Sequence, residues 1–231
     1  HTMIATASAI SANGAIPVPV ECGKDHLIDP KSIIEEINSN TKCIMPTQLN
    51  GRTANMDEIC QIANEHGLKI IEDSAQALGS KYDGQNAGSF GVGGCISFYP
   101  AKVLGCLGDG GIILCNDKDI YDRLIMMRDH GRDPISGDVV LWGRNSRLDN
   151  LQAAFLNFQF KNYDNVVSRR REIAGIYENL LSDIDHILLP PSVNSKDKHF
   201  DIFQNYEIEA ENRDDLKTFL NDNGIGTLIQ W

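Results

Sequence analysis

Two residues whose types could do covalent and acid–base chemistry, Asp73 and Lys102, each follow an apolar run and precede a glycine-containing turn. A lysine amine, with an ordinary pKa of about 10.4, must lose its proton before it can attack an aldehyde. Pyridoxal phosphate presents such an aldehyde, and an aspartate beside its ring nitrogen keeps that nitrogen protonated. The pair therefore suggests a pyridoxal phosphate site, although an exposed aspartate and lysine are more often solvated surface residues.

Alternating strands and helices must position this pair. The apolar strand candidates before and around it are residues 41–46, 68–71, 94–99 and 112–115. Between the first two, a helical pattern begins at Met56 and stops at His66, before Gly67. Strand, helix, strand predicts a parallel sheet, whose ligands bind beyond the carboxyl ends of the strands. Asp73 and Lys102 are therefore expected at one ligand-binding edge.

The remaining segments predict a large domain followed by a smaller lobe. We expect helices that start at Asp29-Pro30 and that cover 118–127, 150–180 with a break at 161–165, and 214–220. We expect strands at 16–20 and 205–209, and a further strand that begins near Trp231. The expected fold class is α/β, a mostly parallel sheet with helices on both faces. The expected division is 1–180 for the large domain with its linking helix, and 181–231 for part of a small α+β C-terminal lobe.

Composition excludes several classes of partner. The 231 residues carry a formal net charge of -11 with a pI near 4.9, which disfavours nucleic acid and anionic membrane surfaces. The sequence has no apolar run of about 18 residues that could span a membrane. Its six cysteines are scattered without zinc-site spacing, so no metal site is expected. Free thiols favour a reducing compartment, and we expect a cytoplasmic protein.

The stretch EDSAQALGSKYDGQNAGSFG and the later SFYPAKVLGCLGDGG resemble the DegT/DnrJ/EryC1/StrS family of sugar aminotransferases. The likeness continues through HTMIATASAI, IDPKSIIEEI and NGRTANMDEI upstream, and through MMRDHGRD, WGRNSRLDNLQAA and NGIGT downstream. The resemblance implies a fold-type I pyridoxal phosphate enzyme. It would move an amino group from an amino acid, such as glutamate, to a nucleotide-linked keto sugar for amino-sugar and surface lipopolysaccharide biosynthesis.

The resemblance also implies roles for individual residues. Lys102 would bond covalently to the cofactor aldehyde and later move the reaction's proton. Asp73 would pair with the ring nitrogen, Gln76 would bind the phenolic oxygen, and Ser97 would bind the phosphate. Without the resemblance, Gln76 is better explained as an amide at a helix start, and Ser97 as a buried hydroxyl bonded within its own strand.

Two further residues carry implied roles at the edge of the site. Asn145 matches a residue that reaches the phosphate of a neighbouring subunit, which implies a homodimer with a shared active site; otherwise it is a turn residue. Met3 stands where the family often has an aromatic residue stacked on the ring, and its sulfur can pack there less rigidly. Ala101 replaces a common threonine beside the lysine.

The ends of the sequence leave other functions open. The glycine-threonine loop that binds phosphate in the family has no counterpart before His1, and the C-terminal lobe stops at Trp231, so we expect truncation at both ends. One alternative is a non-catalytic protein that keeps the pyridoxal phosphate fold for binding or dimerisation. Another is a related sugar dehydratase, but those enzymes carry histidine in place of Lys102. The sugar, the aminated carbon and the nucleotide are not specified by these motifs.

Overall fold

A computed structural model describes residues 1–195 and 197–230. Lys196 and Trp231 lie outside the described residues, as does the strand expected to begin near Trp231. Within the described part, no helix has both the length and the apolar character needed to cross a bilayer.

Local sequence signals set the ends of the helices. The α-helices of the described residues are α1 (Ile4–Ala12), α2 (Pro30–Glu36), α3 (Met56–His66), α4 (Lys118–Arg128), α5 (Asn150–Phe160), α6 (Tyr163–Leu181) and α7 (Arg213–Asp222). The Asp29 side chain caps α2 by accepting from the Lys31 amide, with Pro30 in the first turn. Gly67 ends α3 in the left-handed conformation that glycine adopts without steric cost. The predicted starts of α2 and α3 are confirmed.

The main sheet has the predicted mostly parallel character. The strands of the described residues are β1 (Cys43–Ile44), β2 (Lys69–Asp73), β3 (Lys81–Tyr82), β4 (Gln85–Asn86), β5 (Gly93–Ser97), β6 (Gly111–Leu114), β7 (Ile187–Leu188), β8 (His199–Phe200) and β9 (Glu209–Ala210). The main sheet has the order β1-β2-β5-β6, in which β1, β2 and β5 are parallel and β6 is antiparallel to β5. The carboxyl ends of β2 and β5 therefore meet at one edge.

The two faces of this sheet differ in burial. Ile70, Glu72 and Ile96 point to one face and are each at most 5% exposed. On that side α2 and α3 pack against Ile70, while α5 and α6 pack against Ile96. Asp73 points to the opposite face, where α1 meets it. This alternation, which follows from the two-residue repeat of a strand, turns Asp73 away from the core.

Two strand predictions are wrong. Residues 16–20 form no strand, because Pro17 and Pro19 remove two backbone donors and Ile16 stays 84% exposed. Residues 205–209 were predicted as a strand, but only Glu209–Ala210 pairs, with β7. Ahead of it, the amides of Ile202 and Gln204 donate to the carbonyls of Gly51 and Asn50. Those bonds hold the preceding chain in an irregular path.

The segment after α6 returns to the first half of the chain, where β8 joins a separate three-stranded sheet with the order β4-β3-β8. β8 pairs with β3, and Ile202 is 1% exposed in the core cluster that contains Ile96 and Leu156. The division at residues 180 and 181 stays a prediction. Whatever the boundary, residues 199–204 lie against the part of the chain that carries Asp73 and Lys102.

Candidate active site

Asp73 lies at the end of β2 with both carboxylate oxygens oriented by the protein. Thr6 Oγ1, on α1, donates to Asp73 Oδ2 at 2.6 Å. The Ala75 amide donates to Asp73 Oδ1 at 3.1 Å. Thr6 is in turn bonded to Thr2, which reaches Thr47 beyond β1. A chain of hydroxyl groups thus fixes the carboxylate at the edge of the sheet.

Lys102 lies half-buried in the turn that follows β5. It is close enough to Asp73 for the two side chains to interact electrostatically. Burial lowers the pKa of the Lys102 amine, and the nearby Asp73 carboxylate opposes this shift without cancelling it. Among the described residues, its Nζ makes no hydrogen bond or ion pair. A partly desolvated amine without a bound acceptor is poised to act as a nucleophile or a base.

Gln76 follows Asp73 by one turn and is 8% exposed. Its Oε1 accepts from the Asn50 amide at 2.7 Å, which fixes the orientation of the side chain. The amide nitrogen is given no acceptor by the described residues. Gln76 can therefore donate to an anionic oxygen placed next to it.

Ser97 and Met3 complete the set near this edge. Ser97 is the last residue of β5, and its Oγ accepts from the Tyr99 amide at 3.2 Å. Met3 precedes α1, the helix whose Thr6 binds Asp73, and is 48% exposed. Ser97 thus ends the strand next to β2, and Met3 adjoins the helix that binds Asp73.

Within the described residues, Asn145 makes no hydrogen bond to the other five predicted residues. It pairs with Asp129 in an isolated bridge, and its Oδ1 accepts from Arg147 Nε at 3.2 Å. Arg147 also binds Asp129, at 2.8 Å. No hydrogen bond in the described residues joins Asn145 to Asp73 or Lys102. Its exposed position leaves its predicted role toward another subunit untested.

A buried acid on β2, Glu72, stabilises the strand end that carries Asp73. Glu72 is fully buried and accepts from Gln48 Nε2 and the Gly88 amide at 2.8 Å each, and from the Phe90 amide at 2.6 Å. Burial raises the pKa of the Glu72 carboxyl despite these bonds. Glu72 thereby ties the 88–90 loop to the strand that ends in Asp73.

A second polar cluster, not indicated by sequence spacing, involves the first residues and the C-terminal segment. One possible ligand atom each from His1, His26 and Glu207 lies within 4.8 Å of the others. His26 Nε2 lies 2.8 Å from Glu209 Oε1, and its Nδ1 lies 3.2 Å from Glu207 Oε2. Burial lowers the pKa of His26, but its two glutamate partners raise it further, to a net increase. This favours protonated His26, which cannot bind a metal through its nitrogens.

The structure adds three residues that the sequence analysis did not select. Thr6 orients Asp73, Asn50 orients Gln76, and Gln204 binds the turn around Lys102. The small residues of HTMIATASAI, which allow a ligand or another backbone to approach closely, are a weak signal for Thr6. No local pattern marks Gln204, because its partners lie about a hundred residues earlier.

A parallel sheet edge that brings an oriented aspartate close to a desolvated lysine is an arrangement of pyridoxal phosphate enzymes. The chain belongs to the DegT/DnrJ/EryC1/StrS aminotransferase family, whose model matches residues 1–231.

The proteins to which the chain is similar include two named relatives and one of known structure. The chain is 40% identical over 233 residues to the pleiotropic regulatory protein of Geobacillus stearothermophilus, covering 100% of this chain and 62% of that protein. It is 39% identical to the dTDP-3-amino-3,4,6-trideoxy-alpha-D-glucose transaminase of Streptomyces venezuelae, covering 100% of this chain and 60% of the relative. The crystal structure of S. venezuelae DesV in complex with a ketimine intermediate matches with a TM-score of 0.93 and 38% identity, over 99% of this chain and 61% of that one. The chain thus spans about three fifths of the length of these relatives.

Proposed function

We propose that this protein is a pyridoxal-phosphate-dependent aminotransferase that moves an amino group from an amino acid, glutamate, to a nucleotide-linked keto sugar. The carrying observation is Lys102, whose lowered pKa and unbound amine occur beside the oriented carboxylate of Asp73. The name of the S. venezuelae transaminase supports the nucleotide-sugar substrate class. We place the reaction in amino-sugar and lipopolysaccharide biosynthesis on the strength of the family resemblance.

The donor set fits the cofactor. Asp73 offers a fixed negative charge for a protonated ring nitrogen, and Gln76 offers an amide donor for a phenolic oxygen. Ser97 offers a hydroxyl for the phosphate, and Met3 offers an apolar side chain for the ring face. When bound, pyridoxal phosphate supplies an aldehyde that captures amino groups and a ring that withdraws electrons from the adjacent carbon.

Lys102 would have two tasks. Its lowered pKa increases the fraction of neutral amine near pH 7, and only the neutral amine attacks an aldehyde. The same amine, once free, can accept a proton at the substrate carbon and return it at the neighbouring cofactor carbon. Thr6 and the Ala75 amide keep the Asp73 carboxylate oriented during both tasks.

The partner contribution rests on Asn145. Its side chain is exposed and, within the part of the chain that the structure describes, bonds only to Arg147. This supports a site completed by a second copy of the chain, with Asn145 of one subunit reaching the phosphate in the other. The six free cysteines support a reducing compartment, so we place the homodimer in the cytoplasm.

One observation favours a non-catalytic role. The relative from Geobacillus stearothermophilus is named as a regulatory protein rather than as a transaminase. A regulatory protein has no need for a desolvated lysine beside an aspartate, so the Lys102 environment favours the enzyme. The dehydratase alternative is disfavoured because Lys102 is present where those enzymes carry histidine.

The cofactor assignment is tested by chemical labelling. The purified protein is incubated with pyridoxal phosphate, reduced with borohydride, digested and analysed by peptide mass spectrometry. We expect the phosphopyridoxyl group on Lys102 at the lowest cofactor concentrations, because its amine has the lowered pKa. Lys31, an exposed lysine on α2, is the matched control.

The two variants give opposite expectations. Lys102→Ala should abolish the saturable label, and Lys31→Ala should leave it unchanged. Saturable labelling that survives Lys102→Ala would refute the assignment. The transfer itself is followed by mass spectrometry of a nucleotide-linked keto sugar incubated with glutamate, where conversion of the ketone to an amine is the expected result. Labelling of Lys102 without any amine formation would favour the non-catalytic alternative.

A further inference from the structure

The side chain of Gln204 holds the turn that carries Lys102 from both sides. Its Oε1 accepts from the Val103 amide at 3.0 Å, and its Nε2 donates to the Ala101 carbonyl at 3.0 Å. A glutamine amide has the donor and acceptor of a peptide group, so it binds the backbone here as a neighbouring strand would. Lys102 lies between the two bonded residues, and its own amide donates to the Tyr99 carbonyl at 2.9 Å.

Gln204 is itself fixed by elements outside this turn. Its amide donates to the Asn50 carbonyl at 2.9 Å. Arg170, on α6, donates from Nη1 to the carbonyls of Phe203 at 3.0 Å and Gln204 at 3.1 Å. We call the two bonds from the Gln204 side chain to Ala101 and Val103 the Gln204 clamp. The backbone at this clamp is held by Asn50 and by Arg170 on α6, and not by the turn that carries Lys102.

Two residues next to or bonded to Gln204 have strained backbone conformations. Phe203 and Asn50 have φ angles of 51° and 56°, in the left-handed region that a bulky residue such as phenylalanine rarely adopts. Such conformations persist only where surrounding contacts enforce them, and they concentrate at functional sites. Asn50 also donates its amide to Gln76. The strained pair thus connects Gln204 to a second residue of the candidate site.

We propose that Gln204 is a positioning residue for Lys102. By fixing Ala101 and Val103, it keeps the lysine amine at the sheet edge beside Asp73 and partly shielded from water. The inference rests on the proposed role of Lys102, and misplacement of a reacting group by about 1 Å can lower a rate by about a hundredfold.

The test compares Gln204→Leu with Gln204→Glu and with Gln61→Leu. Gln61 lies exposed on α3, and its side chain bonds only to Glu65 among the described residues, so Gln61→Leu controls for the loss of a glutamine amide. Gln204→Glu keeps an acceptor for the Val103 amide but removes the donor to Ala101. Urea unfolding of each variant establishes that the proteins compared are folded.

Two measurements on the cofactor-free protein report on the turn. Hydrogen exchange of the Val103 amide, followed by NMR, should accelerate about tenfold in Gln204→Leu and stay nearly unchanged in Gln204→Glu and Gln61→Leu. The pH profile of Lys102 acetylation, read by mass spectrometry, should shift its midpoint upward in Gln204→Leu, because a released amine regains water and its pKa rises.

The outcomes separate the two proposals. If Gln204→Leu matches Gln61→Leu in both Val103 exchange and the Lys102 midpoint, the positioning role is refuted. If both change as expected but the unmodified protein fails to label at Lys102 with pyridoxal phosphate, the clamp stands and the proposed function fails. With an active enzyme, Gln204→Leu should lower kcat far more than it raises KM, since Gln204 acts through the turn that carries Lys102.

Discussion

Replacing Gly51 by alanine should displace the segment that holds the Lys102 turn. Gly51 has a φ of +88°, and a Cβ built there lies 2.7 Å from Ile202 Cγ1, 2.8 Å from the Gln204 nitrogen and 2.9 Å from the Phe203 nitrogen. Two of these atoms are backbone, so a side-chain rotation cannot relieve the contact. The Ile202 amide also donates to the Gly51 carbonyl at 2.9 Å, which holds the two segments together.

The size of the effect follows from a matched glycine. Gly67 has a φ of +65° with nothing within 4 Å of a built Cβ, so Gly67→Ala should cost only the left-handed conformation, about 1–2 kcal/mol. Gly51→Ala adds overpacking against two backbone nitrogens, typically about 1–3 kcal/mol more. We therefore expect Gly51→Ala to lower the free energy of unfolding by about 2–5 kcal/mol.

Urea unfolding of the two variants measures this difference, and Val103 amide exchange measures its consequence. Gly51→Ala should be less stable than Gly67→Ala and should also accelerate Val103 exchange, because Gln204 moves with the displaced segment. Equal losses of stability in the two variants would show that residues 202–204 yield easily. In that case the close packing at Gly51 could not be what fixes Gln204.

Two further predictions concern charged residues. Because the pKa of His26 is raised by Glu209 and Glu207 in the folded state, the stability that it contributes should be complete below pH 6.5, its ordinary pKa, and lost as pH rises through the higher folded value. The control is His26→Asn, because asparagine tolerates the local φ of 64°. The unfolding free energy of the parent minus that of His26→Asn should decrease as the pH is raised from acidic to alkaline. An increase in this difference would contradict the prediction. Arg52→Met should cost about 3–5 kcal/mol in urea unfolding, because it leaves buried Asp201 without the guanidinium 2.6 Å away. Adding Asp201→Asn should recover part of that loss, and no recovery would mean that Arg52 acts through packing alone.

Much of the fold was predictable because its signals are local. The aspartate and proline at 29–30 start α2, and Gly67 ends α3, since each acts on hydrogen bonds within one helical turn. The strands β2 and β5 could be predicted from the apolar residues at neighbouring positions of the sequence. The strand at 16–20 failed because apolar content alone did not offset the two missing donors of Pro17 and Pro19.

The candidate site was predicted in part. Strand order and the motif resemblance together pointed to Asp73, Gln76, Ser97 and Lys102, and the structure places these four near one sheet edge, with Met3 at the helix that binds Asp73. Their roles stay predictions until the labelling experiment is done. The role predicted for Asn145 involves a second copy of the chain, so the contacts within one chain do not test it.

The sequence by itself selected the candidate residues and most of the strands and helices on which they lie, because residue type and short-range periodicity can be read from neighbouring positions. Tertiary structure decided the environment of those residues. The lowered pKa of Lys102 comes from burial, and the bonds from Gln204 come from the segment after α6, which folds back onto the turn at Lys102. Such contacts join residues about a hundred positions apart, and they form only when the folded core fixes both partners.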